Sequence, residues 1–475
     1  MVTRARKLKM SCKVIRIGVF FDGTGNNLTN DEAGRSRNGV SNIGKLFRLY
    51  SNNDVLRGNL VTECLIYTRA IYIEGVGTIT NGNDYVMGGA AGTLGAQRIN
   101  RAIDEVATIR GQFPEVEYKC YIDVFGFSRG AAMARDFINT MYRRRDYLAF
   151  TFKFVGLFDT VGSFGLAGNN INYKPITDED TETDTIKYES SGITPPSEYY
   201  EPYNFNLSPK SAEKIVHFVA LDEYRENFPL SDTQGVGETY SFIGAHSDIG
   251  GGYAKIEDEK LFSYTQETDL NQAERNLQMP ENGINFGENW QCRRTKYESD
   301  FSTNTALFPT LCMGARRVTD DLQKVALVAM YNLALKENVP FIKYIPNTYQ
   351  DIPFKLNDTK VLSNWTKELV EYYKVATTDI SSLKSKVGGY TSFNNQTEPH
   401  IRTELHLNIL ANYVHNSSSS PISNRTSLPP VGLKHRISSG IADKTANKAR
   451  RIPNNPLPIR EVYINNTEQA VIGER

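Results

Sequence analysis

The sequence predicts an α/β protein, with a mostly parallel sheet carrying helices on both faces and a C-terminal, mainly helical cap or subdomain. Three observations predict it. Before residue 255, apolar segments rich in β-branched and aromatic residues recur at 14–21, 62–73, 119–125, 152–158, 214–221 and 239–245. Helical stretches lie between several of them, as at 96–110, and such alternation favours parallel pairing because each crossover lays a helix on a sheet face. Beyond 255 the alternation ends, and Leu322, Val325, Ala326, Ala329, Met330 and Leu333 mark one helix face. Further helical candidates lie at 364–375 and 400–413.

The first strand needs defending, because the basic residues 1–10 followed by apolar 14–21 superficially resemble a signal peptide. Arg16 interrupts the apolar run, no small-residue cleavage site follows, and the segment leads straight into Asp22-Gly23-Thr24-Gly25, so it reads as a core strand. The expectation is synthesis in the cytoplasm without a signal peptide. No apolar run is long enough for a transmembrane segment. The 475 residues divide into a catalytic core at 1–255 with a polar surface insertion at 168–203, a helical cap or subdomain at 256–415 near the mouth of the site, and a Ser/Asn/Pro-rich basic tail at 416–475. Fifty-four Lys and Arg balance 54 Asp and Glu, so global charge gives no reason to expect nucleic-acid binding or adhesion to anionic lipid. The five cysteines are odd in number and lack C-x-x-C spacing, which argues against a disulfide framework or a zinc site.

The strand 119–125 leads into Gly126-Phe127-Ser128-Arg129-Gly130, followed by an Ala-rich helix carrying Phe137, Ile138 and Met141. This is the pattern of a nucleophile elbow. A serine hydroxyl is a weak nucleophile that must stand clear of the backbone beside a base, and a strained strand-to-helix turn lifts it there. Gly126 and Gly130 are then steric requirements. Three later strands run into ionisable residues, at Asp159, Asp222 and His246, which places all three along the edge where the elbow emerges.

Acyl-transfer chemistry assigns roles to these groups. Ser128 attacks a carbonyl carbon, His246 takes its proton and returns one to the leaving alcohol, and Asp159 fixes the imidazole's tautomer. The order Ser, Asp, His along the chain is that of α/β-hydrolases. The oxyanion donors are expected to be the backbone N–H of Arg129 and an N–H from the loop around Gly23 and Thr24. Asp222 is the rival acid, although Glu223 and Arg225 beside it suggest an ion-pair role. His415 is the rival base. Asp248 either orients its glycine-rich loop or ligates a cation. No metal site or cofactor is assigned, and calcium is possible without being assignable to any residue.

Five segments in order then resemble the motifs of the bacterial type VI secretion lipase effectors, family-one branch. They are Phe20-Phe21-Asp22-Gly23-Thr24-Gly25-Asn26-Asn27, the elbow, Val155-Gly156-Leu157-Phe158-Asp159-Thr160-Val161-Gly162, His217 through Arg225, and Gly244-Ala245-His246-Ser247-Asp248-Ile249-Gly250-Gly251-Gly252-Tyr253. The resemblance covers roughly the first 255 residues. It implies a Ser-Asp-His phospholipase of A1 or A2 preference acting on membrane glycerophospholipid after delivery to a rival bacterium's periplasm. It also implies a secretion-spike partner and a cognate immunity protein. The alternatives are an esterase for soluble or intracellular lipid esters and a non-catalytic binding protein on a hydrolase scaffold.

Overall fold

Strand β1 (Cys12–Phe21) lies inside a seven-stranded sheet because both of its faces are apolar: Ile15, Ile17, Val19 and Phe21 alternate with Val14 and Phe20, and all six are buried. The computed structural model describes residues 12–36, 38–57, 64–81, 91–114, 117–144, 150–164, 203–223, 225, 228–233, 235–265, 269–278, 290–294, 310–342, 345–389, 392–393, 396–397, 403–415, 460 and 462–471. The basic stretch 1–10, the insertion at 168–203 apart from Tyr203, and most of the tail beyond 416 lie outside the described residues.

The other strands are β2 (Val55–Arg57), β3 (Cys64–Ile73), β4 (Tyr118–Phe127), β5 (Thr151–Phe158), β6 (Lys214–Ala220), the short β7 (Leu230–Ser231) and β8 (Glu238–Phe242). The sheet order is β2-β3-β1-β4-β5-β6-β8. Every pairing is parallel except that of β2 with β3, at one edge. The order reverses between β1 and β4, which opens a crevice at the carboxyl ends of those two strands. The Asp22 loop and the Ser128 elbow both emerge there.

Arg16, the residue that breaks the first apolar run, is buried in the sheet. Its guanidinium grips Asp123 of β4 through Nε (2.7 Å) and Nη2 (2.9 Å), and Nη1 donates to the carbonyl of Asn338 just past a helix end. A buried charge needs such pairing, and this one joins two adjacent strands to the layer beneath them.

Helices cover both faces. On one side, helices Ala91–Gly111 and Arg129–Arg143 pack on Ile15, Ile17, Val19 and Phe21. On the other, helices Asn42–Leu49, Asp321–Lys336 and Lys367–Thr378 pack on Phe20, Phe125 and Phe154. The helical region placed by sequence as a cap near the mouth is therefore in part the second layer of the core. Helix Asp321–Lys336 is buried nearly all round, from Leu322 through Tyr331, because it is pressed between the sheet and the helices outside it. That region also holds a three-stranded antiparallel sheet of β9 (Ile256–Thr265), β10 (Trp290–Arg294) and β11 (Thr310–Thr319), which sequence periodicity did not reveal.

The cysteine reading is corrected. Cys12 pairs with Cys64 across β1 and β3, and Cys292 with Cys312 across β10 and β11. In each case strand pairing sets the two residues directly opposite each other, a register that spacing in sequence does not encode. The composition boundary at 416 also needs correction, since residues 460 and 462–471 return to the core. Strand Val462–Tyr463 pairs in parallel with β7, and the Val471 N–H donates to Asn139 of the elbow helix (2.8 Å).

Candidate active site

Strand β4 ends at Phe127 and helix Arg129–Arg143 begins at Arg129, leaving Ser128 alone at the turn with φ 59° and ψ −127°. A non-glycine residue in that region carries roughly 1–3 kcal/mol of backbone strain, which the surroundings must hold. They do so by close approach. A Cβ on Gly126 would stand 2.6 Å from Ala131 Cα, and one on Gly130 would stand 2.3 Å from the Phe21 carbonyl oxygen. The Ser128 side chain makes no capping bond to its own helix, so the hydroxyl is not spent on the turn.

Backbone bonds tie the elbow to the end of β5. Ser128 N–H donates to the Phe158 carbonyl (3.0 Å), and Val161 N–H donates to the Ser128 carbonyl (3.2 Å), which brackets Asp159. Asp159 is buried and itself has a positive φ of 41°. Its Oδ2 lies 2.6 Å from His246 Nδ1. The ring of Phe127, next to the serine, packs on the imidazole with centroids 4.6 Å apart, and Phe228 meets it edge-on at 4.9 Å. Ser128, Asp159 and His246 thus gather at one end of the sheet.

His246 opens the short helix His246–Gly250, four residues beyond the end of β8, the strand expected to carry it. Gly250 of that helix fits under Phe127, where a Cβ would lie 1.9 Å from the ring. Burial pushes the imidazole's pKa below its usual value against the pull of Asp159, so the ring is neutral near pH 7 and Nε2 is available as a base. Burial alone would raise the Asp159 carboxyl, but the Arg460 guanidinium and the imidazole outweigh it and hold the group well below the carboxylate range.

Arg460 is the site residue that sequence reasoning missed. Its Nη1 and Nη2 donate to the two oxygens of Asp159 at 2.7 and 2.8 Å, and its Nε donates to the Phe228 carbonyl at 2.7 Å. No motif surrounds it. Glu223 entered the sequence reading only as a neighbour that suggested an ion-pair role for Asp222. It accepts both the His246 N–H (3.2 Å) and a bidentate bond from Arg225, and Arg225 outweighs burial to bring its carboxyl down to about 2.

The two loop donors named from sequence differ. The Gly23 N–H is taken by Asp22 Oδ1 (2.7 Å), whereas the Thr24 N–H has no hydrogen-bond partner among the described residues and Thr24 is exposed. Asp22 holds this loop, with Ser41 and Tyr72 donating to its Oδ2 at 2.8 and 2.6 Å. Burial raises its carboxyl to about 6. On the elbow side, Arg129 is the first residue of its helix, where N–H groups point out without intrahelical partners.

The rival residues are engaged elsewhere. Both oxygens of Asp222 face His406 Nε2 at 3.0 and 2.9 Å, so its carboxylate does not serve His246. His415 Nδ1 lies 2.6 Å from Asp248 Oδ1, and its ring stacks on Tyr253. Asp248 also accepts from the Ala245 N–H (3.0 Å) and so orients its loop. Among the described residues, no group of three or more His, Cys, Asp or Glu side chains is arranged to hold a metal ion.

A strained serine at a switch point, a neutral buried imidazole and a buried carboxylate can together perform acyl transfer. The family model for the catalytic domain of Tle1-like type VI secretion phospholipase effectors matches residues 16–145 and 139–272, more than half of the chain. The chain belongs to this family. A solved Tle1 effector, described as bound to the VgrG spike of the type VI secretion system, is 22% identical with a TM-score of 0.56, covering 95% of this chain and 94% of that one. Its likeness extends the shared fold through the C-terminal helical region of this Tle1-like protein. An uncharacterised protein from Pseudomonas aeruginosa is 19% identical with a TM-score of 0.42, covering 80% of this chain and 52% of that one. Comparison with curated proteins gives no match.

Proposed function

We propose that this Tle1-like chain is a serine esterase that cleaves acyl esters of membrane glycerophospholipids, a phospholipase A delivered as an antibacterial effector. Ser128 is the nucleophile, His246 the general base and acid, and Asp159 the group that orients and compensates the imidazole. Arg129 N–H and Thr24 N–H are the oxyanion donors. The observation that carries this reading is the His246–Asp159 bond of 2.6 Å set beside the strained Ser128 turn.

In this reading Arg129 is the partner of the substrate's phosphate. The Arg129 side chain sits directly after the nucleophile, and its buried Nε has no hydrogen-bond partner among the described residues. An arginine in that position suits a phosphodiester oxygen. No helix among the described residues is long and apolar enough to cross a membrane, so in this reading the enzyme meets lipid from the aqueous side. The spike association belongs to the solved relative, and for this chain it is part of the proposal, as are an immunity protein and action in the target periplasm.

The test is hydrolysis of vesicles made from a phospholipid with two different acyl chains, with products weighed by mass spectrometry. Release of one fatty acid and its lysolipid, lost in Ser128→Ala, is the expected result and assigns A1 or A2 preference. Intact lipid with folded wild-type protein overturns the phospholipase reading. For the antibacterial role, expression directed to the periplasm should kill where cytoplasmic expression does not. Healthy cells in both cases would refute it.

A further inference from the structure

We propose that Arg460, brought in by the chain's C-terminal segment, is a positioning residue that sets the geometry and charge of the Asp159–His246 pair. The proposal rests on the triad reading above. Each oxygen of Asp159 has two donors: Oδ1 takes Ala220 N–H (2.9 Å) and Arg460 Nη1, and Oδ2 takes His246 Nδ1 and Arg460 Nη2. A planar fork bonded to both oxygens fixes the plane of the carboxylate, which a lysine cannot do. The third bond of the same guanidinium, to the Phe228 carbonyl, holds the residue whose ring walls the imidazole. One side chain therefore locates two of the groups that confine His246.

The segment carrying Arg460 is anchored to the elbow's own helix. Asn465 accepts from the Leu207 N–H (2.8 Å) and from Arg135 Nη2 (3.3 Å), Asn466 N–H donates to Asn206 (2.9 Å), and Val471 N–H donates to Asn139. Arg135 and Asn139 lie on helix Arg129–Arg143, which begins one residue after Ser128. Nucleophile, carboxylate and arginine thus share one frame.

Four charged groups surround His246: Asp159 at the end of β5 bonds the imidazole, Glu223 after β6 takes the backbone N–H and is paired with Arg225, and Arg460 from the C-terminal segment reaches the imidazole through Asp159. Two are negative and two positive. Without Arg460 the surroundings carry a net negative charge, which favours the imidazolium and raises the pH at which His246 becomes a base.

The experiment uses the full-length chain as wild type, Arg460→Gln and Arg460→Lys, with rates on phosphatidylglycerol vesicles across pH and His246 titrated by NMR. Arg460→Gln should lower kcat by about 10- to 100-fold with KM within about twofold, and move both the acid limb and the imidazole titration up by about half a pH unit. Arg460→Lys should keep the limb in place and recover part of kcat. An unchanged kcat, or a lost kcat with the limb and the titration unmoved, overturns the proposal and leaves a structural role. If wild type hydrolyses no lipid, the esterase reading fails, and the NMR titration of Arg460→Gln still decides for or against Arg460. If Arg460→Gln does not fold, Arg460→Lys decides: reduced kcat at constant KM supports the proposal, and wild-type rates refute it.

Discussion

At the scale of single residues, the proposed chemistry depends on a neutral imidazole held against a charged carboxylate. Removing the hydroxyl in Ser128→Ala should cut turnover by about 10⁴-fold or more while leaving the melting temperature close to wild type, because one small polar group is lost. The pH dependence follows from the direction of the His246 shift. In the proposed mechanism the active form of His246 is deprotonated and burial favours it, so kcat/KM should rise with pH through a point below the usual histidine value of about 6.5 and then level off. A rate profile whose acid limb lies clearly above that value would contradict the account. Arg129→Gln keeps the backbone donor and removes the guanidinium. It should lower kcat/KM by roughly tenfold on phospholipid and leave hydrolysis of a neutral short-chain ester nearly unchanged, a comparison read in one spectrophotometric assay pair.

At the scale of elements, the elbow helix approaches the ends of β4 and β1 within the volume of a missing side chain, at Gly126 and Gly130. Gly130→Ala drives a methyl to 2.3 Å from the Phe21 carbonyl oxygen and should cost about 1–3 kcal/mol, measured by urea unfolding, with activity falling further than stability. The turn was legible in the sequence because it is local: five consecutive residues encode it, and Asp159 directly follows β5, whereas β8 stops at Phe242, three residues short of its predicted end, and His246 opens the helix that follows. Interactions between distant segments were not legible. Arg460 meets Asp159 across 301 positions, and Asp222 meets His406 across 184. Nothing near an isolated arginine or histidine announces a partner so far away, since the meeting is produced by the packing of whole layers. The same limit hid β9 to β11 and assigned helix Asp321–Lys336 one apolar face, when the layers around it bury nearly all of it.

At the scale of the molecule, two disulfides and a returning C-terminal segment tie together a chain whose site is assembled from both ends. The bridges close segments of 52 and 20 positions, and loop closure alone puts their contributions at about 3–4 kcal/mol each. Reductant should therefore lower the urea midpoint, and Cys12→Ser should reproduce part of the loss under oxidising conditions. No change with reductant would mean that the bridges do not form in solution. Net charge is zero, and in the proposed reading Arg129 contributes to substrate preference at the site. The proposed chemistry centres on one oxygen atom, whose reactivity can be measured without knowing the substrate. A fluorophosphonate probe forms an adduct only with an activated serine, and peptide mass spectrometry locates it. The account predicts labelling at Ser128 in wild type and its loss in His246→Ala; folded wild-type protein that takes no label, or labelling that survives His246→Ala at the same rate, would contradict it.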